Sequence, residues 1–333
     1  MSGRKAKLRR REGLDRKHTQ SVRLKLSGEG WTKGLAVASL VTSALSPTPA
    51  WALWENLTNV SGSATITTLT PTSQRVNVFT GQYVGTLGSA NIAANEAVRV
   101  QQPSAASMAL FRVAGQEATA IYGSLSANGQ IFLVNPSGIL FSSSARVDVG
   151  ALTASTLNIS TQDFLSGNYR FSQMSGSANA AVINHGVITA GPGGYVALLG
   201  AAVRNEGIIL ANLGSIALTA GKAATLDMRG DGLIAFVVTD AVSGAVTGPD
   251  GKSLTSYVSN TGTLQADGGL VTLTANAATD VIKSVVNNEG VIRAQSMTER
   301  NGTIVLSGGS DGIVTVSGTI DASGTGAGQT GGT

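Results

Sequence analysis

Along residues 180–322, short apolar groups recur between glycine and asparagine residues. The recurring unit reads Asn, any residue, Gly, two residues that are often apolar, any residue and Ala. Its copies are Asn184–Ala190, Asn205–Ala211, Asn260–Ala266, Asn288–Ala294 and a degenerate fifth copy at Ser317–Ala322. Because these groups are short and rich in small and β-branched residues, the pattern predicts many short β-strands.

A second apolar element alternates with this unit and consists of a small turn followed by an apolar-x-apolar strand. Its examples are Gly194–Leu198, Gly214–Leu218, Gly269–Leu273, Gly302–Leu306 and Gly312–Val316. Each repeat therefore predicts at least two strands and two glycine corners. The glycines of the first unit lie 21, 55, 28 and 28 residues apart, so the 55-residue gap, which includes Leu226–Val246, holds either an extra coil or an inserted excursion.

Units of about 20–30 residues that contain only short strands are typical of a β-solenoid, whose stacked coils bury one continuous core. Asn at a corner tolerates the left-handed conformation and can bond to its counterpart in the next coil. The alternative is a sandwich or barrel of antiparallel hairpins, which predicts regularly spaced Asn-Gly turns. Only Asn128-Gly129 and Asn301-Gly302 fit that description, so the sequence favours the solenoid.

Composition and charge narrow the possibilities further. With 42% hydrophobic and 13% charged residues, the chain can bury a core and is not expected to be disordered. The absence of Cys excludes disulfides, thiolate metal sites and cysteine catalysis. Although the net charge is +4, residues 1–33 carry +8 and residues 34–333 carry −4. Nothing in the body of the chain therefore predicts nucleic-acid binding.

The N-terminal segment has the order of a secretory signal. A basic stretch, Arg4–Lys33, precedes the apolar run Leu35–Val41, and Ala50-Trp51-Ala52 forms a small-x-small cleavage site. We expect cleavage between Ala52 and Leu53, which makes residues 1–52 an extended signal peptide. The apolar run is well short of the ~20 residues that span a bilayer, and a nucleic-acid-binding arm or a retained membrane anchor would not explain the cleavage site.

The segment from Arg99 to Ser160 is more distinctive than the repeats. Its characteristic stretches are Val100–Ser104, Ser107–Val113, Ile121–Gly129, Ile131–Phe141 and Ala151–Thr156. They resemble the two-partner secretion domain, also called the filamentous haemagglutinin N-terminal domain, over about residues 53–300. The family's hallmark Asn-Pro-Asn-Gly-Ile is present as Asn135-Pro136-Ser137-Gly138-Ile139, with Ser137 in place of the second Asn. A second hallmark of some members, Asn-Pro-Asn-Leu, has no copy in this sequence.

The motif also has a physical explanation as a turn. Asn in the first position, Pro in the second and Gly in the fourth are preferred in a type I turn. Because Ile131–Val134 and Ile139–Phe141 are predicted strands, Asn135–Gly138 should form a tight corner between them. We interpret the motif mainly as a device that fixes this corner. The alternative is that it also helps to display the surface that a transporter reads.

The resemblance implies an all-β fold, a right-handed parallel β-helix (β-solenoid) with short β-hairpin excursions. Residues 53–300 would form the secretion domain, and residues 301–333 would continue the repeat without a visible cap. The implied function is to direct a large adhesin- or toxin-like exoprotein to an outer-membrane β-barrel transporter with periplasmic POTRA domains.

The same resemblance implies a route. The chain would pass the inner-membrane secretion machinery and the periplasm of a Gram-negative bacterium, cross the outer membrane unfolded, and fold coil by coil outside. It would be secreted or stay at the cell surface, with a host or neighbouring-cell surface as a further expected partner.

Enzymatic activity and cofactors are not expected. One His, His18, lies in the predicted signal; the other, His185, is interpreted as an exposed turn residue, so no Ser-His-Asp set is available. The closest acids are Asp227, Asp231 and Asp240, around Arg229. We interpret them as solvated loop charges, rather than as the paired carboxylates of a polysaccharide-cleaving β-helix.

Two other functions remain open at this point. The chain could be the passenger of a single-chain autotransporter, although no C-terminal barrel-forming region is visible. It could also be a carbohydrate-binding or carbohydrate-cleaving β-helix, which would have acids converging on one face. Because Asp321–Gly324 resembles the middle of another repeat, we expect the sequence to be part of a longer exoprotein.

Overall fold

The computed structural model describes residues 53–228, 233–277, 284–297, 300–310, 312–324 and 326–333. These residues belong to one compact unit. Within them the secondary structure is almost entirely β-strand, with one short helix, α1, at Thr161–Leu165.

The chain winds through three faces, and each face is a ladder of parallel strands that pair with the preceding and following coils. Face 1 contains β3 (Ser73–Val78), β5 (Ala97–Gln101), β8 (Ser124–Val134), β10 (Arg146–Ser155), β14 (Val187–Ala190), β17 (Ile208–Leu210), β22 (Thr263–Gln265), β25 (Val291–Arg293) and β28 (Thr319–Asp321). Face 2 contains β4 (Gln82–Leu87), β6 (Met108–Val113), the second parts of β8 and β10, β15 (Tyr195–Gly200), β18 (Ser215–Ala220), β23 (Leu270–Ala275) and β26 (Thr303–Ser307). Face 3 contains β7 (Thr119–Ile121), β9 (Ile139–Phe141), β13 (Ala181–Asn184), β16 (Ala202–Asn205), β21 (Val258–Asn260), β24 (Ser284–Asn288) and β27 (Ile313–Val316).

We number the coils from the face 1 strand that begins each of them, so that coil 1 begins at β3, coil 3 at β8 and coil 6 at β17. A complete coil has three strands, one more than the minimum that the sequence predicted. Ile313–Val316 does not continue the face 2 series, as the sequence had suggested, because it pairs with β24 on face 3. The expected all-β parallel β-helix with hairpin excursions is confirmed.

The core is a set of columns to which each coil contributes one inward side chain. On face 1, Ile188, Ile209, Leu264 and Ile292 lie in register, and none of them is exposed. A single coil could not bury such a residue, since the flanking coils cover it above and below. Stacking therefore supplies the apolar burial that holds the solenoid together.

The repeated glycines form a column of their own at the corner between faces 3 and 1. A Cβ atom on Gly207 would collide with the carbonyl oxygen of Gly186 in the preceding coil. Gly262, Gly290 and Gly318 have the same relation to the glycine one coil earlier. The Asn-x-Gly unit thus keeps Gly because adjacent coils approach too closely for any side chain.

Two excursions leave the solenoid between faces 2 and 3. The first contains β11 (Asn158–Ile159), α1 and β12 (Arg170–Ser172), and the second contains β19 (Ala223–Met228) and β20 (Ile234–Asp240). Together they form an antiparallel sheet in the order β11-β12-β19-β20. Since β17 pairs directly with β22, the 55-residue gap holds an inserted excursion and not an extra coil.

This outer sheet covers a second apolar cluster on the outside of face 2. Phe132 of face 2 packs edge-on against Phe164 of α1, with ring centroids 5.1 Å apart, and stacks on Tyr169 at 5.7 Å. Phe171 and Phe236 complete the cluster from β12 and β20. Both surfaces of face 2 are therefore buried in this region, which explains its outward-facing aromatic residue.

The two ends of the solenoid differ. At the N-terminal end, β1 (Thr58–Ser61) and β2 (Ala64–Thr70) pair antiparallel with β4 and β3 and cover the first coil. Trp54 is buried beneath them against Phe111, at 4.9 Å. In the last described coils the inward side chains are only partly covered: Ile304, Leu306 and Val314 are half-buried, and Ile320 is 44% exposed.

Candidate secretion-motif corner

The motif Asn135–Ile139 lies at the corner between faces 2 and 3 of coil 3. Asn135 follows the end of β8, and Ile139 begins β9. The backbone N–H of Gly138 donates to the carbonyl oxygen of Asn135 at 3.1 Å, which closes a β-turn. Gly138 has a φ of 121°, a conformation that a residue with a side chain rarely adopts.

The side chain of Asn135 holds this corner together from inside. It is fully buried, and its Oδ1 accepts from the backbone N–H of Ser137 at 2.9 Å. Its Nδ2 donates to the carbonyl oxygen of Glu117 at 3.0 Å and to Thr119 Oγ1 at 2.9 Å, both in coil 2. Asn135 therefore fixes the turn and also ties it to the preceding coil. The second function depends on contacts that the motif's spacing does not reveal.

The outer side of the corner opens onto a groove of about 600 Å³. Pro136 and Ser137, both half-buried, form part of its floor. The walls come from the turn after β6, from residues 174–180 of the first excursion, and from Thr247 of the second excursion. None of the lining residues is charged, so the groove is a neutral surface assembled from four separate parts of the chain.

The remaining motif residues face the interior. Ile139 is fully buried in the solenoid core. A Cβ built on Gly138 would lie 3.4 Å from the Cβ atoms of both Ala118 and Pro249, so these two side chains pack closely on the turn. Of the five motif residues, only Pro136 and Ser137 are accessible to a partner in the folded domain.

A second set of asparagines runs along the next corner, between faces 3 and 1. The Nδ2 atoms of Asn184, Asn205 and Asn260 each donate to the Oδ1 of the following Asn, at 2.8, 2.8 and 2.7 Å, ending at Asn288. All four side chains are fully buried. We call this the asparagine ladder. It is the counterpart bonding that the repeat pattern predicted.

The ionisable groups that were considered for catalysis do not converge. Ala223 pairs with Asp240 and Ala235 pairs with Asp227, so the two acids lie at opposite ends of the β19–β20 hairpin, ~13 Å apart by strand rise. Both are exposed, and Arg229 and Asp231 lie outside the described residues. His185 is not a simply exposed turn residue, because its Nδ1 lies 2.9 Å from Glu206 Oε2 and its side chain is 23% exposed.

The described part of the chain has no group of three or more His, Cys, Asp or Glu residues that could hold a metal ion. It also contains no helix that is long and apolar enough to span a membrane. Of the residues at the expected cleavage site, Ala50 and Ala52 lie outside the described residues, whereas Leu53 is described and buried.

A capped parallel β-helix with an outer antiparallel sheet and an Asn-Pro-x-Gly-Ile corner defines a β-helical secretion domain of an exported protein. The sequence profile of the TPS secretion domain, the domain of two-partner secretion, matches residues 59–322. The chain belongs to this family.

Solved and curated relatives agree with this assignment. The secretion domain of HMW1 from Haemophilus influenzae superposes with a TM-score of 0.69 at 30% identity, over 81% of this chain and 68% of that one. A heme/hemopexin-binding protein of H. influenzae is 32% identical over 260 residues, which is 76% of this chain and 26% of the relative. A second protein of that name is 27% identical over 240 residues. The chain thus spans about a quarter of the length of these curated relatives.

Proposed function

We propose that this secretion domain is the address by which an outer-membrane transporter with periplasmic POTRA domains recognises a large adhesin- or toxin-like exoprotein. The observation that carries the proposal is the family match over residues 59–322, together with the motif Asn135–Ile139 at a defined corner of the fold. The partner, the cargo and any host or neighbouring-cell contact are inferred from family membership.

The proposed route begins with a signal peptide of residues 1–52, which is removed between Ala52 and Leu53 after the inner-membrane secretion machinery has been engaged. In support, Leu53 and Trp54, the first two residues after the expected cleavage site, are both buried in the folded domain. The mature chain then crosses the periplasm to the outer-membrane transporter, with residues 53–300 as the secretion domain and 301–333 as further repeat.

We infer that the chain folds outside the cell, one coil after another. From β5 onwards, each strand on a face pairs only with strands of the adjacent coils, so each new coil can pair with a coil that has already folded. The N-terminal strands β1 and β2 cover the first coil, so folding can start from a closed end. Without Cys, the chain cannot be cross-linked by disulfides while it is unfolded.

The domain is proposed to act without catalysis. Asp227 and Asp240 lie at opposite ends of a hairpin, which gives no support to a carbohydrate-cleaving site at these residues. The family match supports a two-partner secretion function, and it does not support the two alternatives, an autotransporter passenger and a carbohydrate-active β-helix. Heme or hemopexin binding is named for proteins about three times as long as this chain, and no feature of the described residues favours it here.

The proposal is tested by binding. The mature chain, diluted from urea, is passed over the immobilised periplasmic domains of the cognate transporter. We expect capture, and we expect Asn135→Ala to weaken it. Asn184→Ala is the matched control, since Asn184 is equally buried and hydrogen-bonded but lies outside the motif. Failure of the unmodified chain to bind functional periplasmic domains would contradict the proposal.

A further inference from the structure

The second excursion does more than complete the outer sheet. After β20 the chain runs through residues 241–257 before it returns to face 3 at β21, and we call this segment the strap. Its middle is a small hairpin: the N–H of Leu254 donates to the carbonyl oxygen of Val246 at 3.0 Å, and the N–H of Gly248 donates to that of Lys252 at 2.8 Å. Val246, Leu254 and Tyr257 are buried and anchor its base.

The tip of the strap reaches back across face 3 towards the secretion motif. It leaves from coil 6, yet Gly248 packs against Ile183 of coil 4, and Pro249 packs against Gly138 of coil 3. Ile183 is in register with Leu140 and Arg204, on the outer side of face 3, and it is nevertheless fully buried. The strap therefore covers an apolar outer surface that includes one side of the motif corner.

An ion pair holds the tip in place. Asp250 at the tip bonds to Nη2 of Arg204 on coil 5, and each of the two side chains is only 12% exposed. The same carboxylate accepts from the backbone N–H of Lys252 at 3.2 Å, which shapes the tip. Nε of Arg204 also lies 2.9 Å from Oε1 of Glu206. Glu206 belongs to coil 5, so this second ion pair does not involve the strap.

We propose that the strap masks the secretion motif: the Arg204–Asp250 pair holds Pro249 on Gly138, so that a transporter can read the corner only before coil 6 has folded. This inference rests on the proposed function. In an emerging chain all five motif residues are accessible, because coil 3 precedes the strap in the sequence. The solenoid itself buries Asn135 and Ile139 as it folds, and closure of the strap then covers Gly138 with Pro249, so an engaged transporter cannot rebind these residues. Closure would then make release from the transporter one-way.

Hydrogen–deuterium exchange on the full 333-residue chain tests whether the strap protects the corner. Asp250→Asn removes the negative charge from the tip of the strap. Glu206→Gln removes a carboxylate from the same arginine without affecting the strap. We expect Asp250→Asn to raise exchange about tenfold at Gly138 as well as at 246–252, because Pro249 at the tip lies against Gly138. Glu206→Gln should leave both regions unchanged. Opening of the strap without faster exchange at the corner would overturn the proposal.

Two further variants distinguish exposure of the corner by the opened strap from a general loss of folding. Arg204→Asp combined with Asp250→Arg restores the ion pair with reversed charges and should restore protection at the corner. Pro249→Gly keeps the ion pair but removes the side chain that lies on Gly138, so it should expose the corner alone. If the charge reversal fails to restore protection while Pro249→Gly leaves exchange at the corner unchanged, the strap does not mask the motif.

Binding separates this inference from the function on which it rests. The immobilised periplasmic domains of the cognate transporter should capture chain freshly diluted from urea, capture the folded chain at least about tenfold less tightly, and regain affinity for folded Asp250→Asn. Equal affinity for folded and freshly diluted chain would contradict the masking of the motif but not the proposed function. No affinity for the freshly diluted chain would contradict the proposed function, whereas the exchange experiment reports on the strap independently of any transporter.

Discussion

At the scale of single residues, buried asparagine side chains contribute strongly to the register between neighbouring coils. In the asparagine ladder, each interior Asn gives one side-chain bond to the next coil and receives one from the coil before. Asn184 and Asn288, at the two ends, each have one ladder partner. Because a two-residue slip between neighbouring face 3 strands would place Asn205 beside the buried Val182, the ladder favours one register over the alternatives.

Asn205→Leu should therefore destabilise the domain more than Asn288→Leu. The first change leaves Asn184 Nδ2 and Asn260 Oδ1 without their ladder partners, and we expect a cost of about 2–4 kcal/mol. The second change leaves only Asn260 Nδ2 without its ladder partner. The urea midpoints of the two variants measure the difference. A larger loss for Asn288→Leu would show that the ladder does not stabilise the solenoid in this way.

A buried tyrosine makes a second residue-scale prediction. Burial raises the pKa of Tyr83 to about 12, and its hydroxyl donates to Asn59 Oδ1 at 2.7 Å in β1. Between the usual tyrosine pKa near 10 and about 12, the unfolded state loses this proton and the folded state keeps it. The contribution of Tyr83 to stability is therefore complete below pH 10 and is lost as the pH rises towards 12.

Tyr83→Phe should accordingly weaken the alkaline loss of stability. Urea midpoints at pH 8 and pH 11 measure this: the drop between the two pH values should be smaller in the variant than in the unmodified chain. Some drop will persist, since burial also raises the pKa of Tyr169, Tyr195 and Tyr257. An equal drop in both proteins would mean that Tyr83 ionises in the folded state as readily as in the unfolded state.

At the same scale, the sequence predicted the backbone of the motif better than its contacts. Asn, Pro and Gly in Asn135–Gly138 prefer a turn for local reasons, so the corner could be anticipated from four residues. The bonds from Asn135 to coil 2, and the contact between Pro249 and Gly138, join parts of the chain that are distant in sequence. Local preferences carry no information about such pairs.

At the scale of elements, the strands divide into those that carry the repeat and those that do not. The Asn-x-Gly unit marks the corner before a face 1 strand, so β14, β17, β22 and β25 were visible in the sequence. The first coils have no such mark, because Phe141 and Ile121 occupy the ladder position there. Their strands were predicted from apolar runs and the family resemblance instead.

The outer sheet is the element that sequence patterns revealed least. β11 has only two residues, and α1 has five. Neither is long enough to show a period. They form because Phe164 and Tyr169 pack on Phe132, which itself points away from the solenoid core. Tertiary contacts, and not local propensity, therefore specify this part of the fold.

Phe164→Ala should loosen the first excursion and leave the coils intact. Loss of a buried phenylalanine costs about 3–5 kcal/mol, and this loss falls on the contact between the first excursion and Phe132 of face 2. Limited proteolysis should show new cleavage within residues 157–179 while the strands of face 1 stay protected. Leu165→Ala is the control, because Leu165 is the adjacent helix residue and only half-buried. Unfolding of the whole domain would contradict this division into solenoid and outer sheet.

At the scale of the whole molecule, the structure combines a nearest-neighbour solenoid with two long-range additions. The coils can add one at a time, since each pairs with the previous one. The outer sheet and the strap cannot, because they join coil 3 and coil 4 to residues inserted in coil 6. We therefore expect completion of the fold to follow export of the extended chain.

The overall architecture was predictable because the solenoid repeats a small number of local rules. Stacked glycines, ladder asparagines and inward β-branched residues recur often enough to specify a parallel β-helix. The position of the excursions was only partly predictable: the 55-residue gap revealed an insertion, but the sequence left open whether it was a coil or a hairpin. The direct pairing of β17 with β22 resolves this, and it depends on contacts between coils that the spacing alone does not contain.

The central claim, that this domain directs its chain to a two-partner transporter, is tested most directly by export. The chain is co-expressed in a Gram-negative host with and without the cognate transporter, and the culture medium and the periplasm are assayed for the chain that begins at Leu53. We predict release into the medium only when the transporter is present. Retention of the processed chain in the periplasm beside a transporter that exports its other substrates would contradict the account.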